Sequence, residues 1–126
     1  MIQALFAPFF GAFMSLDDFL YTLRNTPEEI TFSLSISIID TYYQFTPTAF
    51  QNAGLDNPAG TNNGSCKIFS FGLLHKLSEQ QTLALFAQYY QDVLNTPDGD
   101  DHQNIRHFMR HGWSGIDFST AALTLR

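Results

Sequence analysis

Cysteine is nearly absent from this sequence, and positive charge is scarce. Cys66 is the single cysteine, so no internal disulfide can form, whereas small secreted domains usually carry several. A reducing, cytoplasmic compartment is therefore expected. The chain has 6 lysines and arginines against 12 aspartates and glutamates, a formal net charge of -6, and its cations form no tract. Nucleic acids and anionic membranes attract dense positive charge, so neither is an expected partner.

The first 13 residues, MIQALFAPFFGAF, contain no charged side chain. This run is shorter than the ~20 apolar residues of a membrane span. It also lacks the basic start of a secretory signal. We interpret residues 1–13 as an apolar extension, either an arm docked on the core or sequence ahead of a true start at Met14. An exposed apolar arm promotes aggregation, so the segment would also suit the interface of a homodimer.

Aromatic rings supply much of the apolar content, with 13 phenylalanines beside 5 tyrosines and 1 tryptophan. The hydrophobic fraction of 44% is ordinary for a globular chain. Large rings that bury substantial area suit one core in a chain of this length. We therefore predict a mainly α, compact single domain of four or five short helices over residues 14–126. A long Asn/Gly-rich loop should accompany the helices, with a small β-hairpin as the alternative for part of it.

Local signals place most of these helices. Ser78 begins a capping box, SEQQ, ahead of an apolar stripe over residues 83–93, which is the clearest helix in the chain. Residues 32–43 fit both strand and helix spacing. Helix is preferred there because Thr26 and Pro27 are helix start signals.

Turn-forming residues interrupt the pattern in two places. Residues 46–65 are rich in Pro, Asn, Gly and Thr and predict the long loop or hairpin. A short apolar helix should follow, entered at Ser65, with a buried strand as the alternative. Asp100 or Asp101 should cap a last helix that ends at Gly112, and the remaining residues are interpreted as a short tail.

Four separated motifs are distinctive: YQFTPTAFxN from Tyr43, GxNxGSCKxFxF from Gly60, LSxxQTL from Leu77 and DHxNIRxFMxxGW from Asp101, where x marks a position outside the motif. Together they resemble the HopJ family, which is named for a type III secretion effector of plant-pathogenic bacteria. The resemblance runs from residue 14 to residue 118. It implies export into host cells for some members, and it brings no established activity with it.

Cys66 is the sharpest candidate for chemistry. If Ser65 caps a helix, the thiol lies in the first turn, where the helix dipole and Lys67 would lower its pKa and supply a thiolate. His102 would then be the preferred base, with Asn104 or Asp101 orienting it. The alternative is that the lone cysteine is a small buried hydrophobic side chain.

A second candidate is the loop ahead of that helix. Gly60, Asn62, Gly64 and Ser65 could present backbone amides to an anion, with Lys67 assisting. The segment lacks the residue order of a P-loop. The alternative is a structural turn whose asparagines satisfy the backbone.

No metal or cofactor site is predicted. His107 and His111 are four residues apart and would share a helix face, but no HExxH-type signature accompanies them. Arg106 is expected to form a structural ion pair with Asp92 or Asp40. Function is therefore predicted as a non-catalytic binding or effector-type module with a protein or small-molecule partner. The alternative is a cysteine-nucleophile hydrolase or transferase.

Overall fold

The structure, a computed structural model, describes residues 14–126. The interpretations of residues 1–13 as an extension, a dimer interface or sequence ahead of the start concern a segment outside the described residues. Within residues 14–126, none of the helices combines the length and apolar content that a bilayer crossing requires.

Helices make up most of the described chain; three short strands lie between the second and third helices, and two more follow the last helix. In chain order the elements are α1 (Leu16–Asn25), a 3-10 turn (Pro27–Glu29), α2 (Phe32–Tyr42), β1 (Tyr43–Phe45), β2 (Phe50–Asn52), β3 (Leu55–Asn57), α3 (Asn63–Leu74), α4 (Glu79–Leu85), α5 (Gln88–Asn95), α6 (Gln103–His111), a second 3-10 turn (Gly112–Gly115), β4 (Ile116–Phe118) and β5 (Leu123–Leu125). The predicted mainly α class is confirmed.

The predicted count of four or five helices is too low for the described residues, because the stripe after Ser78 forms two helices rather than one. The capping box is present, with Ser78 and Gln81 bonding each other's backbone. Helix α4 then ends, and Ala87 adopts a φ of 51° before α5 begins. Neither glycine nor proline marks this break, so the local sequence does not signal it.

Residues 32–42 are helical, as preferred, but the start lies later than Pro27. The Thr26–Glu29 signal produces only a 3-10 turn. Helix α2 is capped instead by Thr31, whose hydroxyl accepts a hydrogen bond from the Leu34 amide at 3.1 Å. The alternating serines that suggested a strand are compatible with helix because Ser35 donates to the Leu85 carbonyl at 2.9 Å inside the core.

Two small antiparallel sheets tie the end of the chain to its middle. Strand β1 pairs with β5, with Tyr43 opposite Leu125. Strand β2 lies between β3 and β4, with Phe50 opposite both Asn57 and Phe118. The predicted hairpin is therefore present as β2–β3. The C-terminal residues, interpreted as a tail, instead supply two strands.

Phenylalanine rings form the centre of the core. Phe19, Phe69 and Phe71 are fully buried, and Phe108 is 1% exposed. The Phe69 ring lies at the middle, 5.0 Å from the Phe108 ring and 5.5 Å from that of Phe86, between centroids. Rings contributed by α1, α3 and α6 thus pack in one continuous core, as the composition predicted.

Helix α6 ends where the sequence predicts, and the reason lies in its neighbours. Gly112 has a φ of 63°, and a Cβ at this position would overlap the Glu79 carboxylate. That carboxylate accepts a hydrogen bond from the Trp113 amide at 3.2 Å. The Trp113 indole donates to the Leu77 carbonyl at 2.9 Å. The Gly-Trp pair therefore anchors the end of α6 to the start of α4.

Candidate functional site

A cleft of about 480 Å³ lies where the β2–β3 hairpin, the start of α3 and the start of α6 meet. This volume is within the range typical of small-molecule sites. Its lining residues are Phe32, Leu55, Asp56, Asn57, Asn62, Gly64, Ser65, Phe86, Tyr89, His102, Gln103, Asn104 and Ile105. Five of the residues predicted from sequence are in this set: Asn62, Gly64, Ser65, His102 and Asn104. Two candidate sites that are 40 residues apart in sequence thus meet in one cleft.

The first turn of α3 forms one side of the cleft. The helix begins at Asn63, with Asn62 in the N-cap position and no side-chain cap. The predicted cap at Ser65 is therefore wrong, because Ser65 is already the third helical residue. A Cβ at Gly64 would lie 3.1 Å from Cζ of Phe32, so the glycine allows this ring to pack closely on the helix.

The first turn of α6 forms the facing side. His102 is the N-cap and adopts a left-handed conformation, with a φ of 50°. Neither Asp100 nor Asp101 caps the helix, contrary to prediction. The Asp101 carboxylate instead accepts a hydrogen bond from Arg106 at 2.7 Å. That bond lowers the pKa of Asp101, and the expected pairing of Arg106 with Asp92 or Asp40 is corrected accordingly.

Four asparagines connect the hairpin, the loop and α6 by side-chain hydrogen bonds. Asn57 and Asn104 bond each other twice, at 2.9 and 3.1 Å, and both are buried. Asn52 donates to the Asn104 side chain at 3.1 Å. Asn62, on the rim, donates to Asn57 at 2.6 Å. Because buried amides need partners, this cluster holds the floor of the cleft in one arrangement.

Aromatic rings form the wall between α2, α5 and α6. The Phe32 ring meets the Tyr89 ring edge to face, with centroids 5.0 Å apart. The Phe86 ring stacks with the Phe32 ring, with centroids 6.4 Å apart. The His102 ring lies 5.4 Å from that of Tyr89. Tyr89 is 38% exposed, so part of this wall is open to solvent.

Carboxylates flank the cleft, whereas no lysine or arginine is among its described lining residues. Asp56 lies on the hairpin, and Gln51 donates to one of its oxygens at 2.6 Å. Two further carboxylates lie near His102, outside the cleft lining: Nε2 is 3.8 Å from an Asp92 oxygen and 3.9 Å from an Asp101 oxygen. The side-chain charge around the cleft is therefore negative.

Cys66 does not line the cleft. Its side chain is 2% exposed, and the thiol donates to the Thr48 carbonyl at 3.4 Å. Burial raises the pKa of Cys66, which outweighs the lowering by its hydrogen bonds to Thr48 and Ser70 and by the charge of Lys67. The expected lowering of this pKa is therefore wrong in direction. His102, the proposed base, contacts Asp92, Asp101 and Tyr89 instead.

The remaining residues of the predicted anion site point elsewhere. The Lys67 ammonium lies 2.8 Å from an Asp40 carboxylate oxygen and 5.0 Å from the Phe45 ring centroid. Gly60 is an exposed turn residue with a φ of 89°, and it is not among the lining residues. The loop therefore contributes Asn62, Gly64 and Ser65 to the cleft, without a cation.

The histidine pair on α6 has a structural role at its first member. His107 Nδ1 lies 3.0 Å from the Asn52 carbonyl oxygen, to which it donates. The His107 and His111 rings are 6.3 Å apart between centroids. Within residues 14–126, no group of three or more His, Cys, Asp or Glu side chains is placed to hold a metal ion.

Sequence reasoning missed the aromatic wall and the hairpin carboxylate. Phe32 and Phe86 fit helical stripes that predict a core, and Phe86 is indeed 3% exposed. Tyr89 falls off the stripe after Ser78, which was the available signal that its ring faces outward. Asp56 lies in a segment predicted as loop, and only the pairing of β2 with β3 directs it to the cleft.

Comparisons with known proteins found a matching family model and a similar solved structure. A family model described as "HopJ type III effector protein" matches residues 16–123. The chain is also similar to the crystal structure of an unknown-function protein, VPA0580, with 51% identity and a TM-score of 0.88. That alignment covers 90% of this chain and 95% of the other. No curated protein matches the sequence.

Proposed function

Because the chain belongs to the HopJ type III effector protein family, we propose that it is a non-catalytic binding module whose cleft receives a small ligand or a side chain of a partner. The observation that carries this proposal is the convergence of Asn62, Gly64 and Ser65 with His102 and Asn104 around one cavity of about 480 Å³. Clefts of this size with an aromatic wall and a few fixed polar groups are the usual form of a ligand site.

The rigidity of the cleft floor supports binding over a purely structural role. Asn52 and Asn57 are 0% and 1% exposed; Asn57 bonds Asn62 on the loop and Asn104 on α6, and the Asn52 amide nitrogen donates to Asn104. A floor fixed in this way reduces the entropy lost when a ligand is ordered. The aromatic wall beside it remains partly open, with Tyr89 at its edge.

The cysteine-nucleophile alternative has little support. A nucleophilic thiol needs an accessible thiolate near a base, whereas Cys66 is buried and hydrogen-bonded to a backbone carbonyl. Replacing Cys66 by alanine should therefore leave ligand binding unchanged, with only a modest loss of stability. His102 lines the cleft, so its replacement should alter binding.

Binding at the cleft is tested by fragment screening with NMR of the 15N-labelled protein. Amide shifts should cluster on the first turns of α3 and α6, at Ser65 and Gln103 for example. Gln103→Trp should fill the cleft and abolish these shifts. Gln44→Trp is the matched control, since Gln44 is exposed on β1 and outside the lining. Fragments that bind only elsewhere, or that bind the blocked variant equally well, would refute the proposal.

Family membership also associates the chain with type III secretion into a host cell. We propose cytoplasmic residence before any such export, because a lone cysteine suits a reducing compartment. Fusion of the chain to a reporter enzyme that is active only in host cytosol tests the transfer. A signal that persists in a strain with a disabled type III apparatus would argue against this route.

A further inference from the structure

We infer that the cleft recognises an organic cation, an ammonium or guanidinium group on an alkyl chain. This inference rests on the proposed function and adds the chemical class of the ligand. The sign of the charge is the opposite of the one suggested by the Asn/Gly-rich loop and Lys67. Three observations support it: the aromatic corner formed by Phe32 and Tyr89, the surrounding carboxylates, and the asparagine amides, most of whose N–H groups already bond protein oxygens.

The aromatic corner offers ring faces in two orientations. The planes of Phe32 and Tyr89 meet at 75°, with centroids 5.0 Å apart. A cation within about 6 Å of such a face is attracted by the electron-rich centre of the ring. The neighbouring rings of Phe86 and His102 extend the wall on either side. An alkyl chain can pack along the same aromatic surface. A long cationic side chain can therefore place its charge over a ring face and its alkyl chain along the wall.

The charges on the cleft favour a cation. Asp56 lines the cavity, and its contact with Gln51 engages one oxygen while the carboxylate keeps further acceptor capacity. The carboxylates of Asp92 and Asp101 lie 3.8 and 3.9 Å from Nε2 of His102, and Asp101 is paired with Arg106. The nearest lysine to the loop, Lys67, is paired with Asp40.

Most of the side-chain amide donors of the asparagine cluster already bond protein oxygens. Asn57 donates to Leu55 and Asn104, and Asn104 donates back to Asn57. Asn62 donates to Asn57 on the rim. Asn57 therefore uses both of its side-chain N–H groups on protein oxygens, whereas Asn104 and Asn62 use one of two each.

The N-termini of α3 and α6 disfavour a cation, but their partial positive charge is smaller than the negative charge of the nearby carboxylates. Helices α3 and α6 both begin at the cleft without side-chain caps, and each N-terminus is equivalent to roughly half a positive charge. Together they amount to about one positive charge. Asp56 and Asp92 together carry two full negative charges, so the balance remains negative. A cationic head is therefore favoured over an anion.

The test is an NMR titration of the intact chain with matched probes. Nα-acetyl-lysine methylamide and Nα-acetyl-arginine methylamide represent a partner's side chain, and cadaverine represents a free amine. The neutral control is the corresponding norleucine derivative, and inorganic phosphate tests the helix ends. At least one cationic probe should bind about ten-fold more tightly than the norleucine derivative. The relative affinities of the side-chain derivatives and cadaverine distinguish the two sources.

Variants separate the wall from the charge. Asp56→Asn keeps an acceptor for Gln51 and should weaken the cationic probe about 3-fold, as expected for a partly exposed ion pair. Tyr89→Leu keeps an apolar surface and should weaken it by a similar factor. Asp98→Asn and Tyr21→Leu are the controls, because both residues are exposed outside the cleft.

Several outcomes would overturn the inference. Tighter binding of phosphate or of the norleucine derivative at the cleft would reject a cation and leave the proposed binding function in place. Equal effects of the cleft variants and their controls would show that the cation binds elsewhere. Absence of any cation-dependent shift at millimolar probe would also reject it. Only a failed fragment screen would remove the binding module itself.

Discussion

At Arg106 a guanidinium lies almost entirely inside the protein, at 3% exposure, which is uncommon for a charged group. It donates to the carbonyl oxygens of Thr96 and Asp101, at 2.8 and 2.6 Å, as well as to their side chains. One residue thus closes the turn between α5 and α6. Because His102 follows that turn directly, Arg106 also positions one side of the cleft.

Arg106→Met should lower the free energy of unfolding by about 2 kcal/mol, since two backbone carbonyls lose a charged donor. Lysine should not restore the loss, because a single ammonium cannot span both carbonyls. Chemical denaturation measures the change, and Arg110→Met, at an exposed position on the same helix, is the control. Equal midpoints for the two methionine variants would contradict the assignment.

His75 gives the protein a predictable response to pH. Its Nε2 lies 2.7 Å from the Tyr43 hydroxyl, and burial, with a smaller contribution from Arg24, lowers its pKa below the ordinary 6.5. Between the folded and unfolded pKa values the unfolded chain binds more protons, so stability rises with pH in that window. The free energy of unfolding should therefore fall as the pH decreases below about 6.5.

Replacement of His75 tests this sign. His75→Gln keeps a polar group for Tyr43 but cannot titrate, so its stability should change less between pH 7 and pH 5 than that of the wild type. His111→Gln, on the exposed end of α6, is the matched control and should keep the wild-type slope. Urea denaturation at several pH values supplies the comparison. A steeper acid loss in the His75 variant would show that the sign is wrong.

Among the helices, the junction of α4 and α5 is the least expected feature. Ala87 has a φ of 51° and a ψ of -117°, a conformation that suits glycine. The break lets Gln88 turn back and accept a hydrogen bond from the Phe32 amide at 3.1 Å. It therefore brings α5, and with it Tyr89, against the start of α2 at the cleft.

Ala87→Gly should raise the free energy of unfolding by about 1 kcal/mol, because the strain of a Cβ at positive φ is relieved. Ala84→Gly is the control in the regular part of α4, and there the same change should cost about 1 kcal/mol. Thermal and urea denaturation of both variants decide the matter. A loss at both positions would indicate that Ala87 is not strained.

The same junction shows how far sequence reasoning reaches at this scale. A helix start marked by a cap and an apolar stripe, such as the one after Ser78, follows from local rules. The break at Ala87 does not, because it satisfies packing on both flanking helices and contacts to α2. The sequence also did not predict strands β4 and β5 in the C-terminal residues. Segments of three residues have too little periodicity, and their partners lie up to 82 residues away, as Tyr43 and Leu125 do.

At the scale of the whole molecule, the fold is closed by its own C-terminal residues. Strand β5 pairs with β1, and Leu123 is buried at 4% exposure whereas Leu125 is 71% exposed. The Thr46 amide also bonds the Ala122 carbonyl at 2.9 Å. The end of the chain therefore covers the core beside α2.

Leu123→Ala should lower the free energy of unfolding by about 3 kcal/mol, as for other buried leucines. Leu125→Ala should change it by less than about 0.5 kcal/mol, because its side chain is already in solvent. Fluorescence of the single tryptophan during urea denaturation can follow both. Similar losses for the two leucines would contradict the burial of Leu123 and the exposure of Leu125.

The sequence predicted several residues of the candidate site but not that they lie together. Asn62, Ser65, His102 and Asn104 were all selected from sequence, but in two unrelated hypotheses. Their proximity depends on how the hairpin packs on α6, which local patterns do not encode. Cys66 was predicted as a nucleophile because thiols are chemically distinctive, whereas its neighbours bury it in the core.

The interlocked amides have an evolutionary consequence. Replacing Asn57 alone removes the hydrogen-bond partner of Asn104 and Asn62. Each polar group left without a partner should lower the free energy of unfolding by about 1 to 3 kcal/mol. A joint replacement by shape-matched apolar residues avoids that loss. Drift at these positions should therefore be epistatic: homologues would exchange the members together or keep all of them, while the surrounding rim diversifies freely.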